Sequence, residues 1–119
     1  MVCVIAAEKN FENRVKKFLE SQGCWFVKFF ANAYTKSGVP DLLVCCNGYF
    51  IGVEIKAPNG KPSELQKRNI RKINESGGTG VILYPDQFDN FKDLIWYLKS
   101  NDEFYAEMIA EQINERWVK

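Results

Sequence analysis

Apolar residues recur at helical spacing near the start of the chain. Phe11, Val15, Phe18 and Leu19 form one stripe within residues 8–22, which predicts an amphipathic helix. Gly23 follows where such a helix stops. The segment "CWFVKFF" (24–30) is aromatic and β-branched and predicts a strand. Its aromatic residues Trp25, Phe26, Phe29 and Phe30 are expected in the core, with stacking on bases as the competing use. A loop over 31–40 ends at Pro40. "DLLVCC" (41–46) and "YFIGVEIKA" (49–57) predict two strands joined by Asn47-Gly48, a hairpin turn signal. "PNGKP" (58–62) interrupts the pattern. Ser63 with Gln66 three residues on has the spacing of a capping box, and its helix is expected to run to about Ser76 and stop at Gly77-Gly78. "GVILY" (80–84) is apolar throughout, as a strand buried on both faces would be. Two more helices follow, over 89–99 (Phe91, Leu94, Ile95, Leu98) and 102–117 (Tyr105, Ile109, Ile113, Trp117). The order αβββαβαα predicts an α/β fold with a mixed central β-sheet flanked by α-helices.

The 119 residues suit a single domain, 1–119. No apolar run approaches a membrane span, and "MVCVIAAEKN" has no basic stretch ahead of its apolar residues, so an unprocessed cytoplasmic protein is the expectation. The absence of histidine excludes Ser–His and Cys–His nucleophiles. Cys3, Cys24, Cys45 and Cys46 contain no CxxC pair, and the expectation is small buried thiols in a reducing compartment. The net charge of +1 is unevenly spread. Residues 1–72 carry 12 Lys/Arg against 6 Asp/Glu, and residues 73–119 carry 4 against 9. A basic face suited to a phosphate backbone can therefore hide within a near-neutral total.

Three charged positions break the pattern of the hairpin. Asp41 stands at the mouth of one strand, and Glu54 and Lys56 lie two apart on its partner, facing one side while Ile51, Val53 and Ile55 face the other. Pairing of the strands brings Asp41 toward Glu54. Adjacent carboxylates repel, and a divalent cation between them resolves the conflict; Mg²⁺ takes oxygen ligands and completes its shell with water and phosphate. An ammonium beside such a centre can position a water or stabilise charge on an attacked phosphate. An exposed-edge ion pair is the competing reading of the same spacing.

"GVPDLLV" followed by "VEIKAPNGKPSELQ" resembles the VRR-NUC branch of the PD-(D/E)XK nucleases, and is similar to the related archaeal Holliday-junction resolvases. The resemblance runs from about Glu12 to Leu83. It implies a restriction-endonuclease-like core and Mg²⁺- or Mn²⁺-dependent cleavage of DNA. It further implies that Asp41, Glu54 and the backbone carbonyl of Ile55 bind metal and that Lys56 serves the nucleophile. Gln66, besides capping its helix, would lie near the metal and hold a water or phosphate. The family also uses a glutamate of the first helix. The helical stripe leans to Glu8, while counting back from Gly23 gives Glu12, which is taken as the catalytic and metal-binding acid with Glu8 as fallback. Lys61, Lys67, Arg68, Arg71 and Lys72 form a candidate backbone-binding patch, with a solvated helix face as the competing reading. Tyr34, Lys36 and Ser37 are candidate DNA contacts from the loop ahead of Asp41.

Together these expectations describe a structure-directed DNA endonuclease for branched DNA such as Holliday junctions. A flap or single-strand nuclease, a non-catalytic DNA-binding module and a sequence-specific restriction enzyme are the rivals, the last disfavoured by the short chain. Cutting both strands of a junction needs two sites, so a homodimer is expected. The apolar stripes of the two C-terminal helices either supply its interface or cover the sheet. A stand-alone nuclease of this size resembles phage or mobile-element versions of the family.

Overall fold

The computed structural model describes residues 4–32, 34 and 37–118. Four strands form one sheet in the order β1-β2-β3-β4: β1 (Trp25–Lys28), β2 (Leu42–Cys46), β3 (Tyr49–Ile55) and β4 (Thr79–Leu83). The first two pairings are antiparallel and β3 pairs with β4 in parallel. Four helices flank the sheet: α1 (Val4–Ser21), α2 (Glu64–Glu75), α3 (Phe88–Lys99) and α4 (Glu103–Val118). A short 3-10 turn, Pro85–Gln87, leads into α3. The predicted element order and the α/β class both hold, with element ends differing by a few residues.

Local chemistry explains the connections. Asn47 and Gly48 have φ of 52° and 83°, the paired left-handed residues that a tight hairpin turn requires. The Asn47 amide also donates to the Leu98 carbonyl at 3.1 Å, tying the turn to the end of α3. A parallel pair cannot be joined by a hairpin, and α2 supplies the crossover from β3 to β4. Its capping box forms as expected: Ser63 Oγ accepts from the Gln66 amide at 3.1 Å, and Gln66 Oε1 accepts from the Ser63 amide at 2.9 Å.

Ile51, Val53 and Ile55 of β3 are fully buried in the main core, with Phe11, Val15 and Leu19 of α1 and Phe91, Leu94 and Ile95 of α3. A second cluster joins Ile70 of α2 to Ile82, Tyr84 and Trp117. β4 therefore contributes to two cores through alternate residues, as its unbroken apolar run predicted. The second core depends on close approach of α2 to the sheet. A Cβ on Gly52 would lie 2.8 Å from Ile73 Cδ1 and 3.1 Å from Pro40 Cγ.

One open alternative about apolar residues is decided and one expectation is corrected. The C-terminal helices do not offer their main stripes to a partner: Leu94, Ile95, Leu98, Ala106 and Ile113 are buried in the chain's own core. The aromatic strand is also not all core. Phe26 packs inward, but Trp25 is 65% exposed and Phe30 75%. β1 is an edge strand, and only one of its faces is covered. Trp25 pairs with Cys45 and Cys45 with Phe50, making one cross-strand row on the uncovered side. Cys45 is accordingly exposed, unlike the buried Cys24 and Cys46. Burial and the adjacent Cys46 push the Cys24 thiol up to about 12, leaving it inert. Cys3 lies outside the described residues.

The outer edge of β4 is closed by side-chain amides. Asn114 of α4 accepts from the Ile82 amide at 3.1 Å and from Trp117 Nε1 at 2.9 Å, and donates to the Gly80 carbonyl at 2.9 Å. Asn74 of α2 exchanges two bonds with Gly80, at 2.8 and 3.1 Å. These contacts satisfy polar groups that an edge strand would otherwise expose. Asn114→Ala leaves the Ile82 amide and the Trp117 indole N–H without their partner, and a loss of about 2–4 kcal/mol is expected in urea unfolding at constant m-value.

Candidate active site

The fold delivers the charged residues of the hairpin to one end of the sheet. Asp41 stands one residue before β2, where its carbonyl accepts from the Phe29 amide at 2.8 Å. Its Oδ2 accepts from the Ile55 amide at 2.8 Å, and its Oδ1 from Lys28 Nζ at 3.2 Å. Leu42 pairs with Val53, so extending the ladder by one residue sets Asp41 beside Glu54. Glu54 is only 3% exposed because α2 covers its side of the sheet. Burial, and then the charge of Asp41, push its carboxyl up to about 8, against the opposing pull of Lys56. Gln66 Nε2 donates to Glu54 Oε2 at 3.0 Å, and Lys56 Nζ lies 3.6 Å from the same oxygen. Gln66 thus caps its helix with one amide atom and reaches the acid pair with the other.

α1 brings both candidate glutamates to this end. Glu12 is bracketed by Lys28 Nζ at 2.6 Å and Lys16 Nζ at 3.1 Å. Burial works against its charge, but the hydrogen bonds from Lys28 and Lys16 outweigh it and hold its pKa below the ordinary value. Glu8 faces the Ala57 backbone and the charge of Lys56. Its pKa is raised, chiefly by burial, which the positive charge of Lys56 opposes and Asp41 reinforces. The two acids therefore occupy different positions: Glu12 sits in a lysine pair, and Glu8 sits beside Lys56.

Lys28 escaped the sequence reading. In the sequence it reads as part of an aromatic strand, yet it bridges Glu12 to Asp41 and joins α1 to the hairpin. Burial disfavours its charge, but Glu12 and Asp41 together raise its pKa above the ordinary lysine value. The available signal was alternation within β1: Lys28 shares the inward face with Phe26.

The donors fit a hard divalent cation. Asp41 and Glu54 offer carboxylate oxygens at one point, and Glu54 holds a proton there to relieve the repulsion. No group of three or more His, Cys, Asp or Glu side chains forms a ready-made cage among the described residues. A pair of carboxylates is what Mg²⁺ or Mn²⁺ commonly takes from protein, with waters and phosphate completing the shell. Ile55, the third expected metal contact, ends β3 with its amide bound to Asp41.

The described DNA-contact candidates lie on α2, just ahead of it, and in the loop before Asp41. Lys61, Arg68, Arg71 and Lys72 are exposed. Lys67 pairs with Glu64 at 3.3 Å and Lys72 with Glu75 at 3.7 Å, which partly neutralises the patch. Arg71 lies over the Trp117 ring at 5.8 Å. Tyr34 is almost fully exposed. Ser37 is held to α2 through its carbonyl, which accepts from Asn69 Nδ2 at 3.0 Å. Lys36 lies outside the described residues.

Residues 6–82 match the archaeal Holliday junction resolvase (Hjc) family. The chain belongs to that family. The Hjc match takes in both helix-1 acids, Lys28, the hairpin with Asp41, Glu54 and Lys56, and Gln66, and it ends within β4; α3 and α4 lie beyond it. The mixed sheet with flanking helices agrees with a restriction-endonuclease-like Hjc core. The match bears out the resolvase side of the sequence resemblance. No curated protein matches the chain. No helix among the described residues is long and apolar enough to cross a membrane.

The raised Glu54 pKa has a consequence for stability in metal-free solution. The unfolded chain releases this proton near the ordinary 4.5, while the folded chain keeps it until about pH 8. Between those values the unfolded state binds fewer protons, so the favourable contribution, complete below 4.5, is lost as pH rises through 8. Glu54→Gln keeps a neutral side chain of the same shape. Thermal melts in chelator should show the variant more stable than the native protein at pH 8 and equal to it near pH 4. An identical difference at both pH values would show that Glu54 does not carry the dependence.

Proposed function

We propose that the chain is a nuclease domain spanning 1–119 that hydrolyses phosphodiester bonds in branched DNA, Holliday junctions foremost, with Mg²⁺ or Mn²⁺ bound. The observation that carries this reading is the Asp41–Glu54 carboxyl pair with Lys56 and Gln66 both on Glu54, in a chain of the Hjc family. Asp41 and Glu54 would hold the cation, together with the Ile55 carbonyl and an acid of α1. The bound cation supplies Lewis-acid polarisation of phosphate and a more acidic water. Asp41 is already oriented by the Ile55 amide and Lys28, so little reorganisation is needed to present its oxygens. Lys56 orients the attacking water and offsets charge on the attacked phosphate. Gln66 holds Glu54 in place and reaches toward a phosphate oxygen. Lys28 keeps Glu12 and Asp41 together and adds a positive charge beside the reacting group. The VRR-NUC likeness of the motif string adds that this site follows the Asp, Glu-x-Lys, Gln pattern of structure-directed nucleases.

Each chain carries one such site, and symmetric resolution of a junction needs two cuts, so the acting species is a homodimer. The buried C-terminal stripes direct that pairing to another surface. The setting is the cytoplasm, where host or phage DNA would be the substrate.

Phe30 and Tyr34 favour a second reading. Both aromatic rings are exposed, and Lys28 Nζ, which is bound to Asp41, lies 5.9 Å from the Phe30 ring. Aromatic rings beside a scissile phosphate suit unstacked bases, as a flap or single strand provides. The decisive experiment incubates labelled four-way junction, flap, duplex and single-strand DNA with Mg²⁺ or Mn²⁺. Paired symmetric cuts in the junction are expected, with activity lost by about 10²-fold or more in Asp41→Asn and Lys56→Ala. Preferential cutting of the flap selects the second reading. An inert native protein, or an Asp41→Asn variant as active as native, ends the nuclease assignment.

Lys28→Gln should also lower activity, by about 10-fold or more, because Glu12 and Asp41 lose their shared cation. Lys28→Arg should recover part of it. Single-turnover rates measured at saturating metal and DNA separate this positioning effect from weaker binding.

A further inference from the structure

On the side of α1 facing α3 lies an open cleft of about 560 Å³, lined by Arg14, Lys17, Phe18, Asp86, Phe88, Asp89 and Lys92 among others. Its cations are held on an aromatic platform. The Arg14 guanidinium lies 5.3 Å from the Phe88 ring centre and 5.5 Å from that of Phe11. Lys92 Nζ lies 4.5 Å from Phe88 and 5.8 Å from Phe18. Two positive groups therefore share one ring and stand at most about 10 Å apart, comparable to the Debye length at 0.1 M salt. Among the described residues no carboxylate lies within ion-pair distance of Arg14, Lys17 or Lys92. Of the two acids in the cleft, Asp86 is already occupied by Arg116, with both oxygens 2.8 Å from Nη1. Asp89 is the remaining negative charge. Ring faces hold the cations in place without an ion-pair partner, which leaves them able to meet an external anion.

The same helix connects this cleft to the catalytic end. Lys9 and Lys16 line the cleft that holds Glu8, Glu12 and Lys28, on another side of α1. Lys9, Asn13, Arg14 and Lys17 are all exposed on the helix. A helix is about 10–12 Å across, which corresponds to about three base-pair steps of 3.4 Å. A duplex arm that leaves the catalytic centre across the exposed face of α1 would cover the helix's width in about three base pairs and come to Arg14.

We infer that the cleft between α1 and α3 is a second phosphate-backbone site, which grips a DNA arm beyond the scissile phosphate. The occupant is a phosphodiester backbone, and the site lies on a different helix from the Lys61–Lys72 patch. Lys92 belongs to α3, outside the Hjc match, so part of this grip is supplied by the C-terminal helices. The inference rests on the reading of DNA as substrate, not on cleavage.

The test is metal-free binding of a labelled four-way junction over a salt series, read by fluorescence anisotropy. Each phosphate contact contributes about 0.9 to the slope of log K against log salt. Arg14→Gln with Lys92→Gln should lower that slope by about 2 and weaken binding by about 10-fold or more at moderate salt. Asp89→Asn should strengthen binding by a few-fold, a change opposite in sign to any folding defect. Lys99→Gln, at the far end of α3, should leave the slope unchanged. An unaltered slope in the double variant, with native binding intact, overturns the inference and leaves the nuclease reading standing. A reduced slope in a protein that cuts nothing with Mn²⁺ supports the arm site and overturns the nuclease reading. A native protein that binds no DNA overturns both.

Discussion

The contact between Asp41 and Glu54 is the constraint around which this chain is arranged. Two acids meet at the end of adjacent strands, and one of them is almost completely buried. Burying a carboxyl group beside another carboxylate is unfavourable unless it takes a proton, a cation or strong hydrogen bonds. The structure supplies all the protein-borne remedies at once: a raised Glu54 pKa, the Gln66 amide, and Lys56 at 3.6 Å. Each remedy comes from a different stage of the chain path. Asp41 enters through the hairpin, Lys56 follows the end of β3, and Gln66 arrives at the first turn of the crossover helix. The parallel connection of β3 to β4 thus covers Glu54 and also delivers its hydrogen-bond donor.

A second layer of charge surrounds this pair. Lys28 links Glu12 to Asp41, and Lys16 completes the neutralisation of Glu12. Acids and lysines alternate across the cleft, so no single carboxylate stands alone. Such a network holds side chains in fixed geometry before substrate arrives, and in catalysis prior orientation is worth more than added contacts. It also makes the site sensitive to loss of any one partner, because removing a cation exposes a buried charge.

α3 and α4 lie outside the Hjc match but are not appendages. Their stripes complete the main core, and Asn114 closes the edge of β4. Arg116 of α4 lies 3.7 Å from the Tyr84 ring and donates to the Pro58 carbonyl at 2.9 Å. Tyr84 in turn donates to the Gly60 carbonyl at 2.7 Å. The turn that follows Lys56 is therefore anchored from the C-terminal helix, so the same elements support both core and site.

Element order, the Asn47-Gly48 hairpin, the capping box and the doubly buried β4 were all written in local patterns of the sequence, because each depends on residues within a turn or two of one another. The meeting of Asp41 with Glu54 was legible for the same reason, since a tight hairpin sets its own register. What only the tertiary structure decided was which face of each element another element covers. Trp25 carries the composition of a core residue but sits on the open face of the edge strand β1, and Phe30 lies exposed just beyond that strand's end. The C-terminal stripes carry the composition of an interface but meet the sheet of their own chain. Lys28 looked like an incidental charge in an aromatic strand until α1 placed Glu12 within 2.6 Å of it. Periodicity states that a side chain points to one side; it contains no information about what waits there, because that depends on packing between segments far apart in the chain.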